Sequence, residues 1–474
     1  MRPAILVNPE HSAPLHRQVY SEWRKGILSG RFRPGDRVPS SRELAMMLGI
    51  SRSTVTEAYE QLAAEGYFES SHGSGTFVCR QIPDEMFKAH RTPANGDAAA
   101  LRVRLSRYGS RLTEGGWYAA VEPGVIQITS GRPDLKEFPF SIWQKLVTRH
   151  LRSLRQNLFD YAGPAGYEPL RREVAASLSR SRAVRCDWKQ VVIVNGSQQA
   201  LDLCMRILLD PGDRVTLENP GYQGAYRMFR AYGARIHAAP VDAQGIVVGD
   251  LAKSSRLVYV TPSHQFPTGV SLSLARRLEL IDWARRAGAI LIEDDYSSEY
   301  RYRGAPLPAL QGLASDVPVI YLGTFSKIMF PGVRIGYVVL PRELVAPFAH
   351  AKWLADRQTP VLEQAALADF IREGHLERHV RRMRRLYSKR RETLVDALER
   401  QFRGGAQVLG EAAGMHLLVR FKDAGVFKRA ARNRVEIGNA RVWCMDQPSP
   451  NELAFGFADL GERTIREAVR RLAS

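Results

Sequence analysis

Five short apolar runs in the middle of the chain, Val191 to Val194, Val215 to Leu217, Leu257 to Val260, Ala289 to Ile292 and Val319 to Leu322, each stop abruptly at a segment rich in glycine, acid or hydroxyl groups. The runs are too short for helices and do not alternate, so they read as strands buried on both faces, the pattern of a parallel sheet covered by helices. In an open α/β sheet the ligand lies outside the carboxyl ends of the strands. The chemistry of such a chain is therefore to be sought in the residues immediately after each run.

After the fifth run comes Gly323-Thr324-Phe325-Ser326-Lys327, with Arg334 a little further on. A lysine at a strand end can form a Schiff base with a carbonyl, and Thr324, Ser326 and Arg334 offer hydroxyls and a guanidinium to a phosphate. The first run breaks at Asn195-Gly196-Ser197 and opens directly into the helical pattern Gln198 to Leu203. Such a junction presents free backbone N–H groups and a positive helix end to an anion. In the fourth segment, alternation puts Ile290, Ile292, Asp294 and Tyr296 on one face and Glu293 with Asp295 on the other. Any one of these segments has an ordinary reading, as a loop, a turn or acids that solvate a strand end. Pyridoxal 5'-phosphate is a small molecule that presents an aldehyde and a phosphate together.

Taken in order, and with Glu218-Asn219-Pro220-Gly221-Tyr222 and the turn Pro267-Thr268-Gly269, the segments resemble those of fold-type I aminotransferases. The resemblance implies pyridoxal phosphate on Lys327, a phosphate cup of Gly196, Ser197, Gln198, Thr324, Ser326 and Arg334, and Tyr222 stacked on the ring. It implies Asp294 against the pyridine nitrogen, where a carboxylate keeps the ring protonated, and Tyr296 donating to its phenolic oxygen. It also implies a homodimer in which Tyr161 reaches the phosphate of the other subunit. The chain departs from the family at two places. Phe266 stands where an asparagine contacts the phenolic oxygen, so that Tyr296, His264 or Gln265 has to serve. Ala454, in Leu453-Ala454-Phe455-Gly456-Phe457, stands where an arginine grips the substrate carboxylate; Gly224 supplies no substitute, and Arg420 or Arg441 would have to enter from a neighbouring strand. A pocket without that anchor suits cofactor binding better than amino-acid turnover, so no catalytic residue and no metal is assigned.

The amino end has a different pattern. Leu15, Val19, Trp23 and Ile27 recur at helical spacing, and Arg33-Pro34-Gly35-Asp36 turns the chain. Ser40 with Glu43 forms a capping box for a short helix through Met47, Leu48-Gly49-Ile50 turns, and Ser51 caps a helix striped by Val55, Ala58, Tyr59 and Leu62. That is helix-turn-helix spacing, and Arg52, Ser53 and Thr54 at the exposed end suit the major groove. Gly66 to Val78 then read as strand, turn, strand. From Leu15 to Val78 the chain resembles the winged helix of GntR regulators, which implies that Arg42 and Arg52 touch phosphate or base edges and that His72 and Gly73 reach the adjacent minor groove.

With 474 residues, the expected division is 1–80 for the winged helix, 81–122 for a linker and 123–474 for an effector domain. Most GntR effector domains are far shorter, so the length points to the MocR subfamily. The expected fold is α/β: an N-terminal winged helix-turn-helix joined to a fold-type I aminotransferase-like domain with a mainly parallel sheet. The expected function is a pyridoxal-phosphate-dependent regulator that binds operator DNA and senses the cofactor or a small amine that reacts with it, with the missing arginine favouring the cofactor. Control of vitamin B6 or amino-compound metabolism is the expected consequence. The alternative is an active aminotransferase with an appended DNA-binding domain.

The formal charge of +19 suits a nucleic-acid partner. Much of it lies in the helical stretch Arg378 to Arg391, which reads either as a solvated face or as a second DNA surface. Cys79, Cys186, Cys204 and Cys444 are too scattered for a zinc knuckle or a redox pair. With no secretory signal and no apolar run of membrane length, the expected location is the cytoplasm, with no membrane partner.

Overall fold

The computed structural model describes residues 5–71, 75–82, 103–113, 123–129, 131–153, 158–304, 307–410, 412–445 and 451–474. The chain divides into two compact units, Met1–Arg104 and Leu105–Ser474.

In the first unit, helices α1 (Leu15–Leu28), α2 (Ser41–Leu48) and α3 (Arg52–Ala64) pack with strands β1 (Arg37–Val38), β2 (Phe68–Ser71) and β3 (Gly75–Val78). Local chemistry sets the ends of α2 and the start of α3. The Ser40 hydroxyl accepts from Glu43 N while the Glu43 carboxylate accepts from Ser40 N, which satisfies two free donors at once. Gly49 closes α2 in the left-handed conformation, and the Ser51 hydroxyl accepts from Thr54 N to start α3. Val19, Trp23, Val55, Leu62, Phe68 and Val78 are buried together, with the Trp23 ring 4.4 Å from Phe32 and 5.2 Å from Phe68. The strands form an antiparallel sheet in the order β1-β3-β2.

The second unit holds β4 (Ile126–Ile128), β5 (Val191–Val194), β6 (Arg214–Asn219), β7 (Arg235–Asp242), β8 (Gly245–Ile246), β9 (Leu257–Val260), β10 (Ile290–Asp295), β11 (Val319–Thr324), β12 (Gly336–Val339), β13 (Ala406–Leu409), β14 (His416–Phe421), β15 (Val435–Asn439) and β16 (Glu452–Gly456). The large sheet runs β5-β12-β11-β10-β9-β6-β7-β8 and the smaller one β13-β14-β16-β15-β4. From β7 to β11 the large-sheet neighbours are parallel, and all five apolar runs lie in it. Val191 and Ile193 pack on one face with Leu170 and Val174, and Val192 and Val194 on the other with Leu201 and Cys204. Helices thus bury both sides.

One expectation needs correction. Val191–Val194 does not pair in parallel: β12, which returns from the lysine loop, inserts between β5 and β11 and is antiparallel to both. The second compact unit begins at Leu105. A helix Arg107–Leu112 forms there, and Arg111 Nη1 donates to Ala231 O at 3.4 Å.

The basic helix His375–Phe402 is matched in part by acids of its own domain. Arg381 pairs with Glu377, Arg382 with Glu137, Lys389 with Glu462, and buried Arg390 with Asp134. Among the described residues no helix is long and apolar enough to cross a membrane.

Candidate cofactor site and DNA-reading face

At the carboxyl ends of β5, β9, β10 and β11 the structure forms a cavity of about 300 Å³. Of the residues singled out in the sequence, Gly196, Ser197, Gln198, Tyr222, Asp294, Tyr296, Thr324, Ser326, Lys327 and Arg334 all line it. Tyr161 does not; it is 80% exposed and carries the Arg357 guanidinium 5.5 Å from its ring centre.

The first end of the cavity is built on glycines. Gly196, at the mouth of the helix Ser197–Leu208, has a φ of +92°, and a Cβ there would come within 2.8 Å of Arg334 Nη2. Gly336 on β12 would place a Cβ 2.9 Å from Gly323 O and 3.1 Å from Gly196 Cα. Only glycine lets the turn after β5, the lysine strand and its return strand close on each other. Arg334 Nη2 donates to Asn195 O at 2.8 Å, which fixes the guanidinium beside the free N–H groups of that helix end. The Ser326 hydroxyl is buried without a hydrogen-bond partner. Together these groups make an oxyanion cradle.

At the other end lies Asp294. Tyr259 donates to its Oδ2 at 2.6 Å, while its Oδ1 is buried and has no hydrogen-bond partner. Burial raises the carboxyl to about 6, against the opposing effect of Tyr259. An unmatched buried carboxylate oxygen costs free energy unless a donor meets it, and a protonated ring nitrogen is such a donor. The neighbouring acids point elsewhere: Glu293 accepts from Leu310 N and Gln311 N, and Asp295 is held by Arg182 and Tyr321. Between the two ends, Lys327 Nζ donates to Gly131 O at 2.7 Å. Burial, chiefly, lowers the Lys327 pKa, with Asp294 opposing and Arg132 adding to the shift. The amine is therefore more readily deprotonated, as a nucleophile must be. The residues present fit a group with an aldehyde, a phosphate and a basic ring nitrogen.

Three expectations about side chains change. The Tyr296 hydroxyl donates to His264 O at 2.8 Å and lies 3.1 Å from His264 Nδ1, so its proton is already committed and it meets the cavity as an acceptor. Gln265 does not reach the cavity; its amide donates to Pro220 O and Phe266 O, and its oxygen accepts from Thr268. Arg420 is exposed and pairs with Glu452, away from the site; the Arg441 side chain lies outside the described residues. Ala454 is fully buried against Leu418, with Leu409 and Trp443 packed on them. Tyr259, Gly131, Met415 and His416 also line the cavity and were not read from the sequence. A tyrosine in the otherwise aliphatic run Leu257 to Val260 was the available sign for the first of these.

In the winged helix, Arg42 and Arg52 are exposed on α2 and at the start of α3, and Arg52 Nε lies 3.4 Å from Ser41 Oγ. Ser53 is exposed, whereas Thr54 is half-buried and its hydroxyl sits 2.9 Å from that of Ser51, within the helix cap. His72 and Gly73 lie outside the described residues.

Residues 123–472 match the family model of aminotransferase class I and II, and residues 15–78 that of the bacterial regulatory proteins of the gntR family. The chain is 37% identical to the probable rhizopine catabolism regulatory protein MocR of Rhizobium meliloti, over 99% of this chain and 95% of that protein. It is 31% identical to the HTH-type pyridoxine biosynthesis transcriptional regulator PdxR of Corynebacterium glutamicum, over 99% of this chain and 97% of that one. Among solved structures, kynurenine aminotransferase of Pyrococcus horikoshii superposes with a TM-score of 0.69 at 30% identity, over 80% of this chain and 96% of that chain.

Proposed function

Because the chain belongs to the MocR subfamily of GntR regulators, in which a winged helix is joined to a domain of aminotransferase class I and II, we propose that it is a transcription regulator whose second domain binds pyridoxal phosphate on Lys327. Occupancy of that site, by the cofactor or by an amine that reacts with it, then governs binding to operator DNA. The observation that carries this reading is the pairing, in one cavity, of a depressed lysine with a buried carboxylate oxygen that has no partner.

Bound pyridoxal phosphate supplies an aldehyde that captures primary amines and a ring that withdraws electrons. The chain does the rest. Arg334, Ser326, Thr324 and the N–H groups after Gly196 hold the phosphate. Asp294 keeps the proton on the ring nitrogen, steadied by Tyr259, and Tyr222 covers the ring. Tyr161 is exposed beside Phe159, and Trp353 and Leu354 are exposed as well, which supports a homodimer in which Tyr161 of the partner subunit completes the cup. On the DNA side, Arg42, Arg52 and Ser53 form the reading face, with His72 and Gly73 on the wing. The regulators of similar sequence over nearly the whole chain favour this reading over a working transaminase.

The test is binding to the DNA upstream of the protein's own gene, with and without pyridoxal phosphate at fixed salt. The affinity or the footprint is expected to change with cofactor in the wild type and not in Lys327→Ala. Identical binding under both conditions would overturn the coupling.

A further inference from the structure

Among the described residues, and apart from the groups assigned to the cofactor, the cavity is lined by Gly131, Thr261, Phe266, Pro331, Met415 and His416. None of these is charged at neutral pH. Burial holds the His416 imidazole at about 4, and its Nε2 donates to Pro267 O at 3.2 Å, which leaves Nδ1 as a bare acceptor. The Phe266 ring lies 5.3 Å from His416 and 5.1 Å from Trp443, giving this wall an aromatic surface. Behind it, Ala454 is sealed in an apolar cluster, so β16 sends no cation forward. The two lining cations are those assigned to the cofactor, Arg334 to its phosphate and Lys327 to its aldehyde. Arg132 is exposed and does not line the cavity, although its charge reaches Lys327.

A carboxylate brought against this wall would lose its hydration and find ring faces and a lone pair, which offer it no donor. A neutral body loses far less, because its apolar surface packs on Phe266 and Met415 and any hydroxyl can donate to the imidazole. We propose that this wall selects primary amines that carry no acidic group, a class distinct from the amino acids. The inference rests on the reading of the site as one for pyridoxal phosphate.

The test uses the full-length protein loaded with pyridoxal phosphate and titrated with matched pairs: 2-phenylethylamine against L-phenylalanine, and 2-aminoethanol against L-serine. Two signals are followed, the visible absorbance, normalised to the reaction of each amine with free cofactor, and the shift in thermal unfolding. The member without the carboxylate is expected to bind at least about tenfold more tightly in each pair. Equal or tighter binding of the amino acid overturns the proposal, and its loss in Arg132→Ala would identify Arg132 as the anchor instead. A loaded protein that responds to neither member also overturns it, leaving the cofactor as the sole signal. A protein that never acquires the visible band on incubation with pyridoxal phosphate refutes the underlying site, a result distinct from a reversed preference.

Discussion

The proposed reading face of the winged helix draws on residues from Arg42 to Ser53, each placed by a cap or turn within a few positions of itself, whereas the cavity of the second domain gathers residues from Gly131 to His416. The first is local: a hydroxyl at Ser51 decides where α3 starts, and the start of α3 decides where Arg52 stands. The second is collective, because strands with long stretches of chain between them have to pair in register before Lys327, Asp294 and Gly196 meet. Damage to the first should stay within one unit. Damage to the second should alter binding chemistry without necessarily unfolding anything.

The sharpest attempt to break this contrast is Lys327→Ala. It is expected to abolish the visible band of the protein incubated with pyridoxal phosphate and to leave cofactor-free binding to operator DNA unchanged; a retained band would place the linkage on another amine. Next comes turnover. With Ala454 in the sheet core and, among the described residues, no guanidinium on the wall of Phe266, Met415 and His416, an amino acid is expected to be held loosely, and a misplacement of about 1 Å costs roughly a hundredfold in rate. Initial rates with standard amino donors and keto acids should accordingly be near background, and sustained multiple turnover would restore the enzyme reading. Arg52→Ala should weaken specific operator binding by about 1–3 kcal/mol with the cofactor spectrum intact; equal affinity in a direct binding assay at physiological salt would remove Arg52 from the reading face.

Smaller effects sharpen the comparison. Burial raises Asp294 to about 6, so below about that pH the carboxyl takes up a proton that has to leave before a protonated ring nitrogen can pair with it. Cofactor retention is expected to fall as pH drops through about 6, by less than about tenfold per unit, and this step should vanish in Asp294→Asn. Retention that ignores pH in both proteins would count against Asp294. Last, Ser51→Ala removes the α3 cap and should destabilise the winged helix by about 1 kcal/mol. Calorimetry should show the second unit's transition unmoved, and a shift of both transitions would mean that the units unfold together.

The strand-end segments were legible because their reactive residues come directly after apolar runs too short to be anything but buried strands. The reading face was legible because capping chemistry spans only three residues. Other positions gave no such sign. Met415 and His416 lie at the start of β14 in the smaller sheet, where nothing in the local pattern says that the strand end reaches the cavity. Gln265 reads as a candidate donor until its amide is seen to be committed to Pro220 and Phe266. The insertion of β12 was equally hidden, since Gly336–Val339 is an apolar run like the others and its direction depends on how the chain returns after Lys327.

The sequence by itself determined which chemistries were available and roughly where: a lysine, an acid and an anion-binding turn at strand ends, a helix-turn-helix at the amino end, and the want of an arginine at Ala454. The tertiary structure decided which of those groups face one another and which are already spent. It turned Asp294 inward and Glu293 and Asp295 away, committed the Tyr296 proton to His264 O, and closed the cavity with Phe266, Met415 and His416. The reason is that periodicity and capping act over one or two turns of chain. Burial, hydrogen-bond partners and the pKa shifts they cause depend on strand register and on neighbours far away in sequence, which exist only once the sheets have formed.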